Sequence, residues 1–245
     1  MYTGGDGEMY GYGYNPYYFG FDWTYLLIIA AFVLSMLVQV FMKSTFAKYS
    51  RIRSASGLTG ADVARRILES EGIYDVQIRP VAGSLTDHYD PRSKTVNLSE
   101  SVYRSNSLAA LGVAAHECGH AIQHAKNYAP LSVRSTLVPL ANFGSGFSWP
   151  LFVAGLIFSS GILCKVGILL FCFALLFQVV TLPVEFNASH RALRKLSALG
   201  LMDSREVGGA RKVLTAAAMT YVAAVCSSLL YLLRMVILAG GRDRD

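Results

Sequence analysis

Long apolar runs alternate with polar segments along this chain. The first run, residues 23–42, contains no charged side chain. About 20 helical residues cross a hydrocarbon core of roughly 30 Å, so this run predicts a transmembrane helix. In residues 147–182, Lys165 alone separates two apolar runs, which predicts a transmembrane hairpin. The last run, 216–238, predicts a fourth span or a helix packed against the other three.

Two polar segments lie between these runs. Residues 54–130 predict a small soluble domain, in which Thr59 caps an amphipathic helix and Asn106 or Ser107 caps another. Alternating stretches at 76–81 and 94–98 predict two short strands. In the second segment, 183–212, Pro183 predicts a kink or a helix start. The expected fold class is a mainly α membrane protein with a small α+β domain that holds a short sheet or hairpin.

The charge distribution predicts an orientation. Of the 245 residues 53% are hydrophobic, and the formal net charge is +6. Lys43 and Lys48 follow the first apolar run and no basic residue precedes it, so the positive-inside rule places the N-terminus outside and both polar segments in the cytoplasm. Residues 1–22, rich in Gly and Tyr, predict a flexible tail. No nucleic-acid motif is present, so the basic residues are expected at a membrane surface.

The candidate chemistry lies in His116-Glu117-Cys118-Gly119-His120, which follows a helix-compatible apolar stretch. On a helix, His116 and His120 lie one turn apart on one face and can bind one zinc ion at about 2.0–2.1 Å. Glu117 is then placed to act as the general base of a hydrolase. Cys118 points about 200° away from His116 around the helix, so it is expected to pack in the core.

A catalytic zinc site needs a third protein ligand. The candidates are His88, His190 or a carboxylate, and Glu185 is favoured because a lone carboxylate among apolar neighbours is costly unless it is paired or metal-bound. Ser189, one turn later, could orient a ligating imidazole. The alternative is an interfacial Glu185 paired with Arg191 or Lys195.

The sequence also predicts roles for several other polar residues. His190 and Arg191 are candidates to stabilise the oxyanion during catalysis. Asp87 and His88 are expected to stabilise a turn, and His124 to lie at the surface or behind the ligands. The chain has four cysteines, and none forms Cys-x-x-Cys, so neither a ribbon-type zinc site nor a redox pair is indicated.

These motifs resemble the YugP-like neutral zinc metallopeptidases, which are bacterial membrane proteins. The matching stretches are 43–46, 56–61, 85–91, 115–123 and 181–189. The resemblance implies zinc-dependent peptide hydrolysis in a zincin-like domain, with His116, His120 and Glu185 as ligands and Glu117 as base. A more distant similarity is to gluzincins of the CAAX prenyl protease and HtpX type, in which Asp occupies the position of Ser189.

The resulting hypothesis is a multi-pass protein of the cell membrane, a zinc endopeptidase with its site at the cytoplasmic face. Its expected partners are the lipid bilayer and a peptide or protein substrate, membrane proteins included, and no nucleic acid. The alternative is a non-catalytic zinc-binding scaffold or chaperone adaptor. A metal transporter would place its ligands within the spans, whereas these flank them.

Overall fold

A computed structural model describes residues 22–240, so the predicted tail at residues 1–22 lies outside the described residues except for Asp22. The fold is mainly helical with one small sheet, as predicted. Its elements are α1 (Tyr25–Ser50), α2 (Gly60–Ser70), β1 (Gln77–Val81), β2 (His88–Asp90), β3 (Thr95–Ser99), α3 (Glu100–Tyr103), α4 (Leu108–Ala125), α5 (Ala129–Ile157), α6 (Gly161–Ala198) and α7 (Ser204–Gly240). Four helices, α1, α5, α6 and α7, are long and apolar enough to cross a membrane.

The turn between α5 and α6 lies before the predicted position. It falls at residues 158–160, where Ser159 has a φ of 53° and the Ser160 hydroxyl accepts a hydrogen bond from the Leu163 N–H (3.5 Å). The prediction that Lys165 separates the two helices is therefore wrong. Lys165 lies inside α6 with its side chain exposed. A long cationic side chain near a helix end can reach polar surroundings without breaking the helix.

The second polar segment also differs from its prediction. Helix α6 continues through Pro183 to Ala198, so no helix starts at Pro183. Proline is tolerated inside membrane-type helices, where neighbouring groups satisfy the freed carbonyl. Residues 183–212 therefore comprise the end of α6, a short connection and the beginning of α7. As a result, Glu185 is carried on a direct extension of a membrane-type helix.

Glycines bring the backbones of α5 and α6 into contact. A Cβ atom added to Gly144 would lie 2.5 Å from the carbonyl oxygen of Leu170, and one added to Gly155 would lie 2.6 Å from the Cys164 nitrogen. Real Cβ atoms do not approach so closely. Small residues are the usual means of packing membrane helices tightly, since lipid supplies no hydrophobic driving force between them.

Helices α1 and α7 are joined by polar contacts along their length. The Ser227 hydroxyl donates to the Ala31 carbonyl (3.2 Å), and Arg234 donates through Nε to the Thr24 hydroxyl (3.1 Å). The Arg234 guanidinium also lies over the Tyr25 ring, 4.6 Å from its centroid. The contacts of Arg234 compensate for the burial of its charge between two apolar helices. Together with the Ser227 hydrogen bond, they hold α7 against α1.

The predicted soluble domain, between α1 and α5, contains a three-stranded sheet in the order β1-β3-β2. Strands β1 and β3 are parallel and match the two predicted strands, whereas β2 pairs antiparallel with β3 and was not predicted. A strand of three residues is too short to display an alternating pattern. Thr59 and Asp62 form a capping box at the start of α2, as expected from the N-cap assignment.

Helix α4 lies at the centre of this domain and carries the His-Glu-x-x-His motif. The Ser107 hydroxyl caps it by accepting from the Ala110 N–H (3.2 Å). Small residues let its neighbours approach: a Cβ on Gly112 would lie 3.2 Å from the Ala210 Cβ of α7. A Cβ on Gly119 would lie 2.5 Å from the Ala188 carbonyl oxygen of α6. Gly119 therefore sets the distance between α4 and α6.

We expect Gly119→Ala to lower the unfolding temperature of the detergent-solubilised protein, because overpacking of this kind typically costs about 1–3 kcal/mol. Gly208→Ala is the matched control, since a Cβ at that helical position meets no atom within 4 Å. The control should be neutral or slightly stabilising, as alanine favours helix. Equal unfolding temperatures for the two variants would contradict the proposed contact.

An ionic contact ties α2 to α4 and α6. Glu71, after α2, pairs with Lys126, after α4, and with Lys195 of α6 at 2.5 Å. Burial alone would raise the pKa of Glu71, but the hydrogen bonds and charges of the two lysines outweigh it, so the pKa lies below its ordinary value of 4.5. A carboxylate with a lowered pKa stabilises the fold above its unfolded-state pKa and loses that contribution as pH falls through the folded-state value.

Glu71→Gln should therefore lower the unfolding temperature at pH 7. The difference from the unmodified protein should shrink as the pH falls below about 4.5, where the carboxylate becomes protonated. Thermal unfolding across this pH range measures the effect. Glu69→Gln is the control, because Glu69 is exposed and forms no ion pair with the described residues. A difference that stays constant with pH would rule out the ionic contribution.

Candidate metal centre

Helix α4 presents its two motif histidines side by side. The ring centroids of His116 and His120 are 4.7 Å apart, with the rings nearly perpendicular. Both side chains are largely buried, at 16% and 12% exposed. The spacing of four residues on one helix produces this arrangement, since positions i and i+4 occupy the same face.

Glu185 reaches the same point from α6. Its Oε2 atom lies 3.3 Å from Nε2 of His116 and 3.6 Å from Nε2 of His120, and the residue is buried. One donor atom from each of the three residues lies within 4.8 Å of the others. Of the candidates for a third ligand, the structure therefore brings Glu185, and neither His88 nor His190, into contact with the histidine pair.

The second ring nitrogen of each histidine is held by a side chain. His120 Nδ1 lies 3.0 Å from Oε1 of Gln123, whose amide nitrogen donates to the Val184 carbonyl (2.8 Å). Because the amide oxygen can only accept, His120 Nδ1 carries a proton, and in the neutral imidazole the lone pair of Nε2 then faces Glu185. His116 Nδ1 lies 3.1 Å from the Ser189 hydroxyl. The expected position of Ser189 beside a motif imidazole is therefore observed.

Two of the three separations between these donors are close to those found around a zinc ion. Four ligands at about 2.0–2.1 Å in a tetrahedron are separated by about 3.3–3.4 Å. The two measured nitrogen–oxygen separations are 3.3 and 3.6 Å. A carboxylate oxygen this close to two imidazole nitrogens requires a shared cation, either a proton on Nε2 or a metal ion. Two imidazoles and one carboxylate are also the ligand types that zinc prefers. His116, His120 and Glu185 therefore fit a zinc ion.

The remaining oxygen of Glu185 faces a residue that sequence reasoning missed. Arg134 of α5 lies with Nη1 3.6 Å from Oε1 of Glu185. The expected alternative partners are elsewhere: Arg191 donates to Asn187 (2.7 Å), and Lys195 pairs with Glu71. A signal for Arg134 was available, since it is the single charged residue of α5. An isolated charge in an apolar helix usually has a partner or a function.

Two cavities meet at these donors. One has a volume of about 630 Å³ and the other about 250 Å³. His116, Glu117, Glu185 and Asp87 line both, and so does Tyr221 of α7. Glu117 is 8% exposed, and the described residues provide no hydrogen bond to its carboxylate. Nothing in the sequence pattern marked Tyr221, which lies within an apolar run.

His190 does not lie beside the donor atoms of His116, His120 and Glu185. It is exposed and lines a separate depression with Phe186, Leu193 and Arg194. Helix geometry explains the difference from Ser189: a residue four positions after Glu185 is rotated by about 40°, whereas one five positions after is rotated by about 140°. Arg191 lies over the Tyr128 ring, 5.9 Å from its centroid, and lines neither of the two cavities. The placement does not support the expectation that His190 or Arg191 stabilises the oxyanion.

His88 is engaged at both ring nitrogens. Its Nδ1 donates to the Thr86 carbonyl (2.8 Å), and Nε2 lies 3.2 Å from the Asn97 amide nitrogen. His124 borders the larger cavity, with Nδ1 2.8 Å from the Tyr89 hydroxyl. Neither residue is available to the donor cluster in this arrangement.

Asp87 and Cys118 have structural contacts that agree with their expected roles. Asp87 accepts from the Ser99 N–H (2.7 Å), which holds the segment before β2 against the end of β3. Burial raises the pKa of Asp87 above its ordinary value. Cys118 is fully buried against the Ala64 carbonyl, and burial raises the pKa of its thiol. A buried neutral thiol on the far side of α4 is not a metal donor.

Comparisons with known proteins identify the family of this chain. A profile of the family described as "Putative neutral zinc metallopeptidase" matches residues 24–240. The chain is 50% identical over 220 residues to a protein of Bacillus subtilis (strain 168) named "Putative membrane protease YugP", which covers 89% of this chain and 98% of that protein. No solved structure matches this chain significantly. The chain belongs to the neutral zinc metallopeptidase family.

Proposed function

We propose that this protein is a membrane-anchored zinc endopeptidase in which His116, His120 and Glu185 bind zinc and Glu117 is the general base. The observation that carries this proposal is the convergence of three donors from two helices, beside a carboxylate that lines both adjacent cavities. Zinc bound there would lower the pKa of a water molecule and polarise the scissile carbonyl. Glu117 takes the proton of the attacking water and delivers it to the leaving amine nitrogen.

The number of donors favours catalysis over a purely structural zinc site. Structural sites are usually closed by four protein ligands, whereas catalytic sites keep one position open. Within the described residues, the group of potential ligands comprises His116, His120 and Glu185 and no fourth His, Cys, Asp or Glu. The two cavities adjoin this group, so a substrate can approach it. These points argue against the alternative of a non-catalytic scaffold or adaptor.

Tyr221 is the residue that we propose to stabilise the oxyanion. Its side chain borders both cavities, so a substrate bound there can contact it. A phenol can donate a hydrogen bond to the negative charge that develops on the former carbonyl oxygen. Arg134 has a different role in this proposal, since its contact with Glu185 orients that carboxylate toward the histidines.

The substrate backbone pairs with β2 in this proposal. Strand β2 is an edge of the sheet, and His88 and Tyr89 border the larger cavity. An extended peptide can add to such an edge through main-chain hydrogen bonds, which recognise a peptide without requiring a particular sequence. Binding of this kind would align the scissile bond with the donors on α4 and α6.

The membrane arrangement is part of the proposal. Four apolar helices of sufficient length support a multi-pass protein of the cell membrane. Lys43 and Lys48 lie at the end of α1 that leads into the soluble domain, and Arg211 and Lys212 lie near the corresponding end of α7. The positive-inside rule then assigns this domain and its site to the cytoplasmic face, with the N-terminus outside.

We expect Glu117→Gln to retain stoichiometric zinc while losing at least about 100-fold in kcat, since it removes the base and leaves the ligands. Zinc content by atomic emission and cleavage of a randomised peptide mixture measure the two effects. Glu100→Gln is the control, because Glu100 is an exposed carboxylate outside the cavities. Full peptidase activity in the Glu117→Gln protein would show that the mechanism is wrong.

A second pair of variants compares the two assignments of the oxyanion donor. Tyr221→Phe should lower kcat by about 10²- to 10³-fold with a smaller change in KM, the usual effect of removing such a donor. His190→Gln should have a much smaller effect on kcat, because its side chain is on another face of α6. The reverse order of effects would support the assignment to His190 made from sequence.

A further inference from the structure

The two cavities beside the donors differ in chemistry. We call the smaller one the apolar chamber, defined by Met42, Val113, Leu214, Ala217 and Ala218; its volume is about 250 Å³. The larger cavity, of about 630 Å³, we call the polar chamber. Its side away from the donors carries mainly polar and charged groups: His124, Asn127, Tyr128, Ser132, Arg134 and Ser135.

The apolar chamber is built by three helices. Met42 comes from α1, Val113 from α4, and the other three defining residues from α7. Leu214 and Ala218 are almost fully buried, at 3% and 5% exposed, so this wall is fixed by core packing. The charged side chains that border the chamber, Asp87, Glu117 and Glu185, also border the polar chamber. A ligand group that extends away from the donors into this chamber therefore meets mainly apolar atoms, together with the hydroxyls of Ser189 and Thr220.

The chamber is large enough for one side chain of the size of Leu, Met or Phe. The two hydroxyl groups that border this chamber alone are already engaged: Ser189 contacts His116 (3.1 Å) and Thr220 donates to the Ala217 carbonyl (2.6 Å). A charged or amide side chain would therefore lose hydration there and gain few hydrogen bonds, which is unfavourable. Full burial of an apolar side chain of this size contributes about 1.5–3 kcal/mol, which corresponds to about a 10- to 100-fold preference. The apolar chamber is therefore suited to select one residue of a substrate.

The order of residues along β2 indicates which substrate residue this is. Leu85, before β2, borders the apolar chamber, whereas Pro91, after β2, borders the polar chamber. A peptide that pairs antiparallel with β2 runs in the opposite direction, so its N-terminal part lies toward Pro91 and its C-terminal part toward Leu85. Antiparallel pairing is the more stable and the more common of the two arrangements.

We propose that the apolar chamber binds the side chain of the substrate residue that follows the scissile bond, and that it selects a large apolar residue there. This inference rests on the proposed peptidase function. Met42 is the last residue of the first apolar run, and Ala217 is the second residue of the last one. The chamber thus lies where two membrane-type segments meet the soluble domain, and the substrate class is a polypeptide segment with an apolar residue close to a membrane surface.

The test uses the full chain, loaded with zinc in detergent micelles, and a randomised peptide mixture whose products are identified by mass spectrometry. We expect Leu, Ile, Met and Phe to be enriched immediately after the cleaved bond. Two peptides that differ only in Leu or Asp at that position should differ in kcat/KM by about 10- to 100-fold. No apolar enrichment, or enrichment only before the cleaved bond, would overturn the proposal.

Ala217→Phe should fill the chamber and reduce the Leu-to-Asp ratio at least tenfold, with the preference moved to Gly and Ala. The control is Ala224→Phe, an exposed position two turns further along α7 that borders neither chamber, and it should preserve the ratio. An unchanged ratio in folded Ala217→Phe protein would overturn the proposal. If that variant does not fold, Met42→Ala serves instead. It should widen the chamber and move the preference toward Phe and Trp, and no such movement would overturn the proposal.

A binding measurement separates this inference from the proposed function. Fluorescence anisotropy compares the Leu and Asp peptides on Glu117→Gln protein, where no cleavage is needed. We expect the Leu peptide to bind more tightly, and the difference to disappear when Ala217→Phe is added. This result supports the proposed role of the apolar chamber even if the unmodified protein cleaves neither peptide. Equal binding of the two peptides overturns the chamber even if the protein is an active peptidase.

Discussion

The close approach of α4 and α6 is the constraint on which the metal centre depends. At Gly119 the two backbones lie so close that a single added carbon would be 2.5 Å from the Ala188 carbonyl oxygen. Gly119 lies between the two motif histidines, and Ala188 lies one turn from Glu185. The contact point of the helices is therefore also the centre of the donor group. A larger residue at Gly119 would force the two backbones apart at the point where the donors meet.

Hydrogen bonds then orient the side chains that the contact between α4 and α6 brings together. Gln123 extends from α4 and donates to the Val184 carbonyl of α6 while it accepts from His120. The same side chain therefore joins the helices and sets the tautomer of a ligand candidate. Ser189, from the opposite helix, holds the ring of His116 through a contact of 3.1 Å with Nδ1. Arg134, contributed by α5, compensates the buried charge of Glu185, which would otherwise be costly in these surroundings. Orientation at this site thus comes from three different helices.

Local features of the site and fold were predictable, and features that depend on how helices meet were not. Thr59 and Ser107 cap their helices because capping needs only a few neighbouring residues. Glu185 was predictable because an unpaired carboxylate among apolar residues implies a partner. Tyr221 carries no comparable signal, since its role depends on which face of α7 borders the cavities. The predicted position of the turn before α6 was wrong because hydropathy does not indicate where a residue adopts a left-handed backbone conformation, as Ser159 does.

The helices that would cross the membrane also form the walls of the site. Helix α6 supplies Glu185, α5 supplies Arg134, α7 supplies Tyr221, and α1 contributes Met42 to the apolar chamber. In a soluble domain tethered by a flexible linker, the site would be independent of its anchor. Here helix α6 is unbroken from the turn with α5 to beyond the donors, so a rotation of α6 between its neighbours would also rotate Glu185 relative to α4. Glycine contacts in the α5–α6 pair and the polar contacts of α1 with α7 oppose such movements. The packing of the apolar helices is therefore part of what holds His116, His120 and Glu185 in their observed arrangement.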